Sequence, residues 1–137
     1  MLASLADSRL PAIDQNTATF FNRVVIDEDY GGLALADEGA RCAEMLSDNP
    51  CHVMIMGNHG ILVIGDTVAQ AFNRMYYFER AAETYIKALW TGQPLRRMSD
   101  EMAESLAAAL ETYYGPTYGH FTELVAVLDR EEPDYRD

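Results

Sequence analysis

Two apolar runs separated by a short glycine-bounded turn constrain this sequence more than any other feature. Residues 53–56 (VMIM) and 61–64 (ILVI) flank the turn Gly57-Asn58-His59-Gly60. Apolar runs of this length, bounded by turn residues, are typical of buried strands joined in a hairpin. We therefore predict strands near 52–56 and 61–65, with a histidine at the turn between them.

The segments around the hairpin predict a mixed domain of helices and strands. Val24-Val25-Ile26 is β-branched and predicts a short strand that ends at Asp27. Helical apolar spacing and helix boundary signals predict helices over 14–23, 37–47, 67–91, 99–113 and 119–129. The expected fold class is α/β (α+β), with an incomplete sheet because three short strands leave exposed edges. We expect residues 1–137 to form a single domain, since a chain of this length can bury one core.

The charge balance excludes several classes of function. The chain carries 22 acidic and 10 basic residues, a net charge of −12, and its largest basic cluster is the pair Arg96-Arg97. Because nucleic acids and anionic membranes are bound by clustered Lys and Arg, we expect neither as a partner. The sequence also lacks the apolar run of about 20 residues that spans a membrane and the start of a secretory signal. We therefore expect a cytoplasmic protein in which Cys42 and Cys51 are reduced thiols.

Three histidines, His52, His59 and His120, are the first candidates for metal chemistry. They form no His-x-His or H-E-x-x-H pattern, so the sequence contains no local metal motif. An extended chain separates His52 from His59 by roughly 20 Å, and the position of His120 at the start of the last helix is typical of a surface histidine. Composition leaves two interpretations of His59. It is either a turn histidine bonded to its neighbours, or an imidazole that Gly57 and Gly60 leave open to a metal.

Glu79 is a further candidate because it interrupts an apolar stripe on the long predicted helix. The stripe has alternating spacings of four and three residues and comprises Val68, Phe72, Met75, Glu79, Ala82, Ile86 and Leu89. A buried carboxylate needs a partner. Two interpretations remain open: an internal ion pair with Arg74, Arg41 or another arginine, or a contact that orients a catalytic or metal-binding group.

The hairpin and the helix after it resemble the class II aldolase/adducin family. The similar residues are 53–66, Ala69, Ala71-Phe72 and 76–82, together with 10–16, the Tyr30-Gly31-Gly32 turn and 128–135, so the resemblance covers nearly the whole chain. It implies a layered α/β/α fold and a divalent metal, usually zinc, with His59 as one ligand. In this family the metal polarises a carbonyl and stabilises an enediolate, so that a neighbouring C–C bond breaks or forms.

The resemblance also implies what the chain acts on and how it assembles. It implies a lyase for a small hydroxy-carbonyl, sugar-like compound, and a homo-oligomer with active sites near subunit interfaces. Adducin, a member that serves as a scaffold, implies the alternative of a non-catalytic assembly module. A third arrangement has His59 residues from several copies sharing one metal at a symmetry axis.

The family's remaining site residues have no counterpart in this sequence. The other two metal ligands form a His-x-His motif in the N-terminal half of family members, and the catalytic carboxylate lies upstream of it. This chain contains neither, so its catalytic residues stay unassigned. We therefore expect the sequence to be a C-terminal portion of a family member that carries part of the active site. On its own it should bind zinc or another divalent metal weakly or not at all, since catalytic zinc takes about three protein ligands.

Overall fold

A computed structural model of the protein describes residues 1–31, 36–47, 50–113 and 119–136. Its sheet contains β1 (Val24–Asp27), β2 (Val53–Met56) and β3 (Gly60–Val63), in that spatial order. β1 and β2 are parallel, whereas β2 and β3 are antiparallel. The predicted strand and the predicted hairpin are therefore confirmed, and β2 is the central strand.

The helices follow the predicted order along the chain. They are α1 (Gln15–Ala18), α2 (Ala36–Leu46), α3 (Val68–Trp90), α4 (Asp100–Tyr113) and α5 (Gly119–Glu131), with short 3-10 helices at Leu2–Ser4 and Pro133–Arg136. The helix α2 joins the parallel strands β1 and β2, as a crossover connection does. No helix in the described ranges is long and apolar enough to cross a membrane.

The first predicted helix begins where expected but is shorter than expected. Asp14 caps it: its carboxylate accepts from the Thr17 N–H at 2.8 Å, and the Thr17 hydroxyl accepts from the Asp14 N–H at 2.9 Å. The helix then ends at Ala18, so the prediction of a helix over 14–23 is wrong in its length. Asn22 has a φ of 55°, a left-handed conformation that cannot continue an α-helix and that turns the chain into β1.

Side chains of β2 alternate between two separate cores. Val53 and Ile55 pack in the core that contains Phe78 of α3, whereas Met54 and Met56 pack against the side of the sheet that carries α2. All four side chains are buried, because helices cover both faces of the strand. This arrangement confirms the α/β/α layers.

The buried side of α3 differs from the predicted stripe. Val68 is 75% exposed and Glu79 is also exposed. The buried residues of α3 are Asn73, Phe78, Ala81, Tyr85 and Ile86. Phe78 points toward the sheet and meets Phe20 edge-on, with ring centroids 5.0 Å apart. The observed buried stripe is rotated by one residue from the predicted one, since helical spacing is compatible with both. Because Glu79 is exposed, its predicted burial with an internal ion pair is wrong.

A buried arginine fastens α4 to the start of β1. Arg23 is only 3% exposed. Its guanidinium donates to Glu104 at 2.5 Å and to Glu111 at 3.1 Å, and both carboxylates belong to α4. The positive charge of the buried Arg23 side chain is therefore paired with two carboxylates of α4. Among the described residues Cys42 and Cys51 form no disulfide, and Cys42 is buried whereas Cys51 is half-buried.

We predict that burial on β2 makes Ile55→Val costly to stability. Ile55 is fully buried, so the removed methyl group leaves a cavity that should lower the free energy of unfolding by about 1 kcal/mol. Urea unfolding followed by circular dichroism measures this change. Ile64→Val is the matched control because Ile64 is 40% exposed, and it should change the free energy by less than about 0.5 kcal/mol. Equal losses in the two variants would contradict the central position of β2.

Candidate active-site turn

The turn between β2 and β3 displays His59 at the surface. Met56 pairs with Gly60 in the hairpin, which leaves a three-residue loop of Gly57, Asn58 and His59. The His59 N–H donates to the Met56 carbonyl at 3.0 Å and closes the loop. Asn58 has a φ of 56°, a left-handed conformation that asparagine tolerates better than most residues. The His59 side chain is exposed at the end of this tight loop.

Two backbone hydrogen bonds hold the turn against the rest of the domain. The Gly57 N–H donates to the Asp27 carbonyl, and the Asn58 N–H donates to the Ala3 carbonyl, both at 2.8 Å. A Cβ at Gly57 would lie 3.1 Å from the Glu28 carbonyl oxygen, so glycine permits the close approach of the turn to the end of β1. Gly60 has no such neighbour within 4 Å. Ligand access at Gly60 stays a prediction.

An aromatic ring that sequence reasoning did not single out contacts the candidate ligand. Tyr30 lies beside His59, with ring centroids 4.7 Å apart and an angle of 44° between the planes. Tyr30 belongs to the predicted Tyr30-Gly31-Gly32 turn, of which Gly32 lies outside the described residues. The sequence predicted this turn and the strand end at Asp27 before it, but it gave no indication that Tyr30 would lie beside the hairpin turn.

An ion pair with a buried carboxylate supports the loop that carries Tyr30. Asp27 is 3% exposed, and its Oδ1 accepts from Arg41 of α2 at 2.6 Å. The same carboxylate oxygen accepts from the Asp29 N–H at 3.2 Å, while Glu38 of α2 accepts from the Gly31 N–H at 2.8 Å. The hydrogen bond that Arg41 donates to Asp27 raises the pKa of the Arg41 guanidinium. The 27–31 loop is thereby fixed to α2.

The other two histidines lie away from the turn. His52 precedes β2, at the opposite end of the strand from His59, and it is buried. Burial lowers the pKa of His52 to about 4, with the positive charge of Arg74 acting in the same direction. His120 begins α5 and packs its ring against Tyr76 and Phe72, at centroid distances of 4.5 and 5.6 Å. The structure therefore keeps the three histidines in separate environments.

Glu79 lies on the surface and lines a cleft of about 350 Å³ that also includes Gly60 and Ile61. Its predicted role in orienting a catalytic or metal-binding group stays a prediction. In the described ranges no group of three or more His, Cys, Asp or Glu side chains is placed to hold a metal ion. His59 is thus a single accessible nitrogen donor. The described residues do not make a complete catalytic zinc site, which takes about three protein ligands.

The part of the chain that contains the His59 turn matches the profile of a known family. The profile of the family described as "Class II Aldolase and Adducin N-terminal domain" matches residues 1–86, which include all three strands and the His59 turn. The chain belongs to this family.

Known relatives agree with the family assignment. A putative aldolase class 2 protein of Caulobacter vibrioides is 30% identical over 115 residues, which cover 80% of this chain and 43% of that protein. An aldolase II superfamily protein from Pseudomonas syringae has a similar structure, with a TM-score of 0.84 and 28% identity over 99% of this chain and 54% of that one.

Two further similarities are more restricted. The L-fuculose 1-phosphate aldolase of Glaciozyma antarctica has the same fold, with a TM-score of 0.74, 20% identity and coverage of 96% of this chain and 49% of that one. Human beta-adducin is 36% identical over 39 residues, which are 28% of this chain and 5% of that protein. The chain thus spans about half the length of its structural relatives and a smaller share of the curated ones.

We predict that Arg41→Met destabilises the domain because it leaves the Asp27 carboxylate buried without its cation. Since Arg41 is itself partly exposed, the expected loss in the free energy of unfolding is smaller than for fully buried pairs. Adding Asp27→Asn to Arg41→Met should restore part of the loss by removing the unpaired charge. Urea unfolding of both single variants and the double variant measures the coupling. Strictly additive losses would contradict a supporting role for the pair.

We also predict that the buried His52 makes stability depend on pH. In the unfolded chain His52 takes up a proton near pH 6.5, but in the folded protein it does so only near pH 4. The unfolded state binds more protons between these values, so the free energy of unfolding falls by up to about 3 kcal/mol as the pH drops from 6.5 to 4.

Denaturant unfolding at several pH values, compared between the parent and His52→Gln, isolates this contribution. His52→Gln should make the free energy of unfolding depend less on pH between 6.5 and 4. The control His120→Gln should keep the pH dependence of the parent. An unchanged slope in His52→Gln would show that other groups cause the acid sensitivity.

Proposed function

We propose that this chain is part of a lyase of the class II aldolase type that acts on a small hydroxy-carbonyl compound. Membership of the family supports the general chemistry, and the names of two relatives, a putative aldolase class 2 protein and an L-fuculose 1-phosphate aldolase, support an aldol reaction on a sugar-like substrate. Fold and family alone do not select a substrate. The proposal is therefore limited to this class of reaction.

The observation that carries the proposal is the exposed imidazole of His59 on a tightly held turn. Backbone hydrogen bonds to Asp27 and Ala3 fix the loop, and the Tyr30 ring lies against one side of the imidazole. A nitrogen donor held in this way loses little conformational freedom when it binds an ion. We assign His59 as one ligand of a divalent metal, with zinc as the expected ion.

We propose that the remaining ligands come from outside the described residues, since those residues offer no group of three suitable side chains. They are supplied either by further protein sequence or by another copy in a homo-oligomer. The protein's location in the cytoplasm is part of the same proposal.

A non-catalytic assembly module is the second candidate function. The similarity to human beta-adducin supports it, although this similarity extends over only 39 residues. In that case the fold would serve protein association, and the His59 turn would have no metal to bind. Metal binding at His59 therefore separates the two candidates.

We predict that zinc binds this chain weakly and through His59. A titration of the purified chain with zinc chloride, followed by NMR signals of the three histidine rings, should perturb His59 first and should not saturate at stoichiometric zinc, because one imidazole holds zinc poorly. The chain alone should show no aldol cleavage.

The control variants make the assignment specific. His59→Ala should abolish the zinc-induced changes, whereas His120→Gln should retain the change at His59. Zinc effects that persist in His59→Ala, or the absence of any effect at His59, would contradict its role as a ligand and favour the assembly module. Tight stoichiometric zinc on the parent chain would overturn the view that most ligands lie elsewhere.

A further inference from the structure

A cleft of about 410 Å³ lies at the end of β2 opposite the His59 turn. One wall is a face of α3 formed by Gln70, Asn73, Arg74 and Tyr77, which have the i, i+3, i+4, i+7 spacing of neighbours on a helix. His52 and other residues near the start of β2 form the facing wall, and the end of α4 completes the cleft. The volume falls within the range of small-molecule sites, about 300 to 1,000 Å³.

Asn73 is the least expected residue in this cleft. It is 7% exposed, yet the structure gives its side-chain amide no hydrogen bond to any described residue. A largely buried amide without a protein hydrogen bond needs another partner, and the Asn73 amide atoms are not among the fully enclosed unpartnered atoms, so they remain accessible from the cleft. An asparagine retained here without a protein partner is suited to a partner that arrives from the cleft.

His52 supplies a hydrogen-bond acceptor to the same cleft. Its Nδ1 lies 3.1 Å from the Pro50 carbonyl oxygen. A carbonyl only accepts, so Nδ1 carries the proton and Nε2 of the neutral ring keeps its lone pair. The lowered pKa of His52, caused by burial, keeps the ring neutral near pH 7. A ligand group that meets Nε2 must therefore donate a hydrogen.

Arg74 and Gln70 supply donors on the helical wall. The Arg74 guanidinium gives one N–H, from Nη1, to the Ile64 carbonyl at 2.8 Å, which fixes its position and leaves the Nε and Nη2 donors. The Gln70 carbonyl oxygen accepts from the Asp66 N–H, so its amide nitrogen is oriented as a donor. Donors of this kind suit a carboxylate, which a guanidinium binds with two parallel hydrogen bonds.

The charges around the opening limit the ligand to a low negative charge. Asp66 and Glu111 both line the cleft and are exposed, and Glu111 is shared with Arg23. With one unshared cation, Arg74, and two carboxylates at the rim, a doubly charged phosphate would be repelled. Phe20 and Leu110 add apolar surface for a short carbon chain.

We propose that this cleft binds a small hydroxycarboxylate, with its carboxylate on Arg74 and its hydroxyl donated to His52 Nε2. The Asn73 amide completes the site by bonding to the ligand. The site is separate from the His59 turn, so its existence does not depend on the proposed lyase function.

The proposal is tested by NMR titration of the 15N-labelled chain with lactate, propionate and inorganic phosphate. Lactate and propionate are matched in size and charge, but only lactate has a hydroxyl for His52. We expect lactate to shift the amide signals of residues around the cleft and to bind about tenfold more tightly than propionate, the effect of one good hydrogen bond. Phosphate should bind more weakly than lactate. Equal binding of lactate and propionate, preference for phosphate, or no shifts with lactate would each overturn the proposal.

Variants of α3 test the residues directly and separate binding from folding. Arg74→Met should weaken lactate binding at least about tenfold, while the control Arg80→Met, on the same helix but outside this cleft, should leave it unchanged.

Asn73→Leu should also weaken lactate binding, yet leave the urea midpoint unchanged or raise it, because it replaces an amide without a protein partner by an apolar group of similar size. A purely structural role for Asn73 predicts the reverse, with a lowered midpoint and unchanged binding, and that result would overturn the proposal. None of these measurements involves His59, so their failure is distinguishable from failure of the zinc titration.

Discussion

The hydrogen bond from the Gly57 N–H to the Asp27 carbonyl joins the candidate active-site turn to the sheet. It extends the parallel pairing of β1 and β2 beyond the last strand residue, and it requires the close backbone approach that glycine allows. Asp27 takes part in two contacts. Its backbone carbonyl accepts from the turn, and its buried carboxylate binds Arg41 of α2. Displacement of Asp27 would therefore change both the turn that displays His59 and the loop that carries Tyr30.

Strand β2 separates two polar sites of different character. At its end, His59 is exposed on a loop held by backbone hydrogen bonds, whereas His52, before its start, is buried, neutral and bonded to Pro50. The four β2 residues between them, Val53 to Met56, are buried in the two apolar cores, so apolar packing separates the two sites. The same strand thus supports both the turn with His59, which we propose as a metal ligand, and the cleft for which we propose a hydroxycarboxylate.

Much of this architecture was predictable from the sequence because local signals determine it. The apolar runs flanking residues 57–60 predicted the hairpin, and the helix boundary signals correctly predicted the start of a helix near residue 14. The errors arose where contacts between elements, and not local sequence, determine the structure. The rotation of α3 depends on the fit of Phe78 against Phe20, and the end of α1 depends on the left-handed Asn22. The Tyr30 contact and the Asp27–Arg41 pair join residues from different elements, so no local pattern indicated them.

The mixed pairing of the sheet has a consequence for the order of folding. β2 and β3 meet across a three-residue loop, so the hairpin can close on a timescale of about 1 to 10 μs. β1 pairs with β2 only after the intervening segment with α2 has been brought back, as the register of Val24 with Val53 shows, and this non-local closure is slower. We therefore expect the His59 loop to form before the β1 end that anchors it, so that the imidazole acquires its fixed position late in folding.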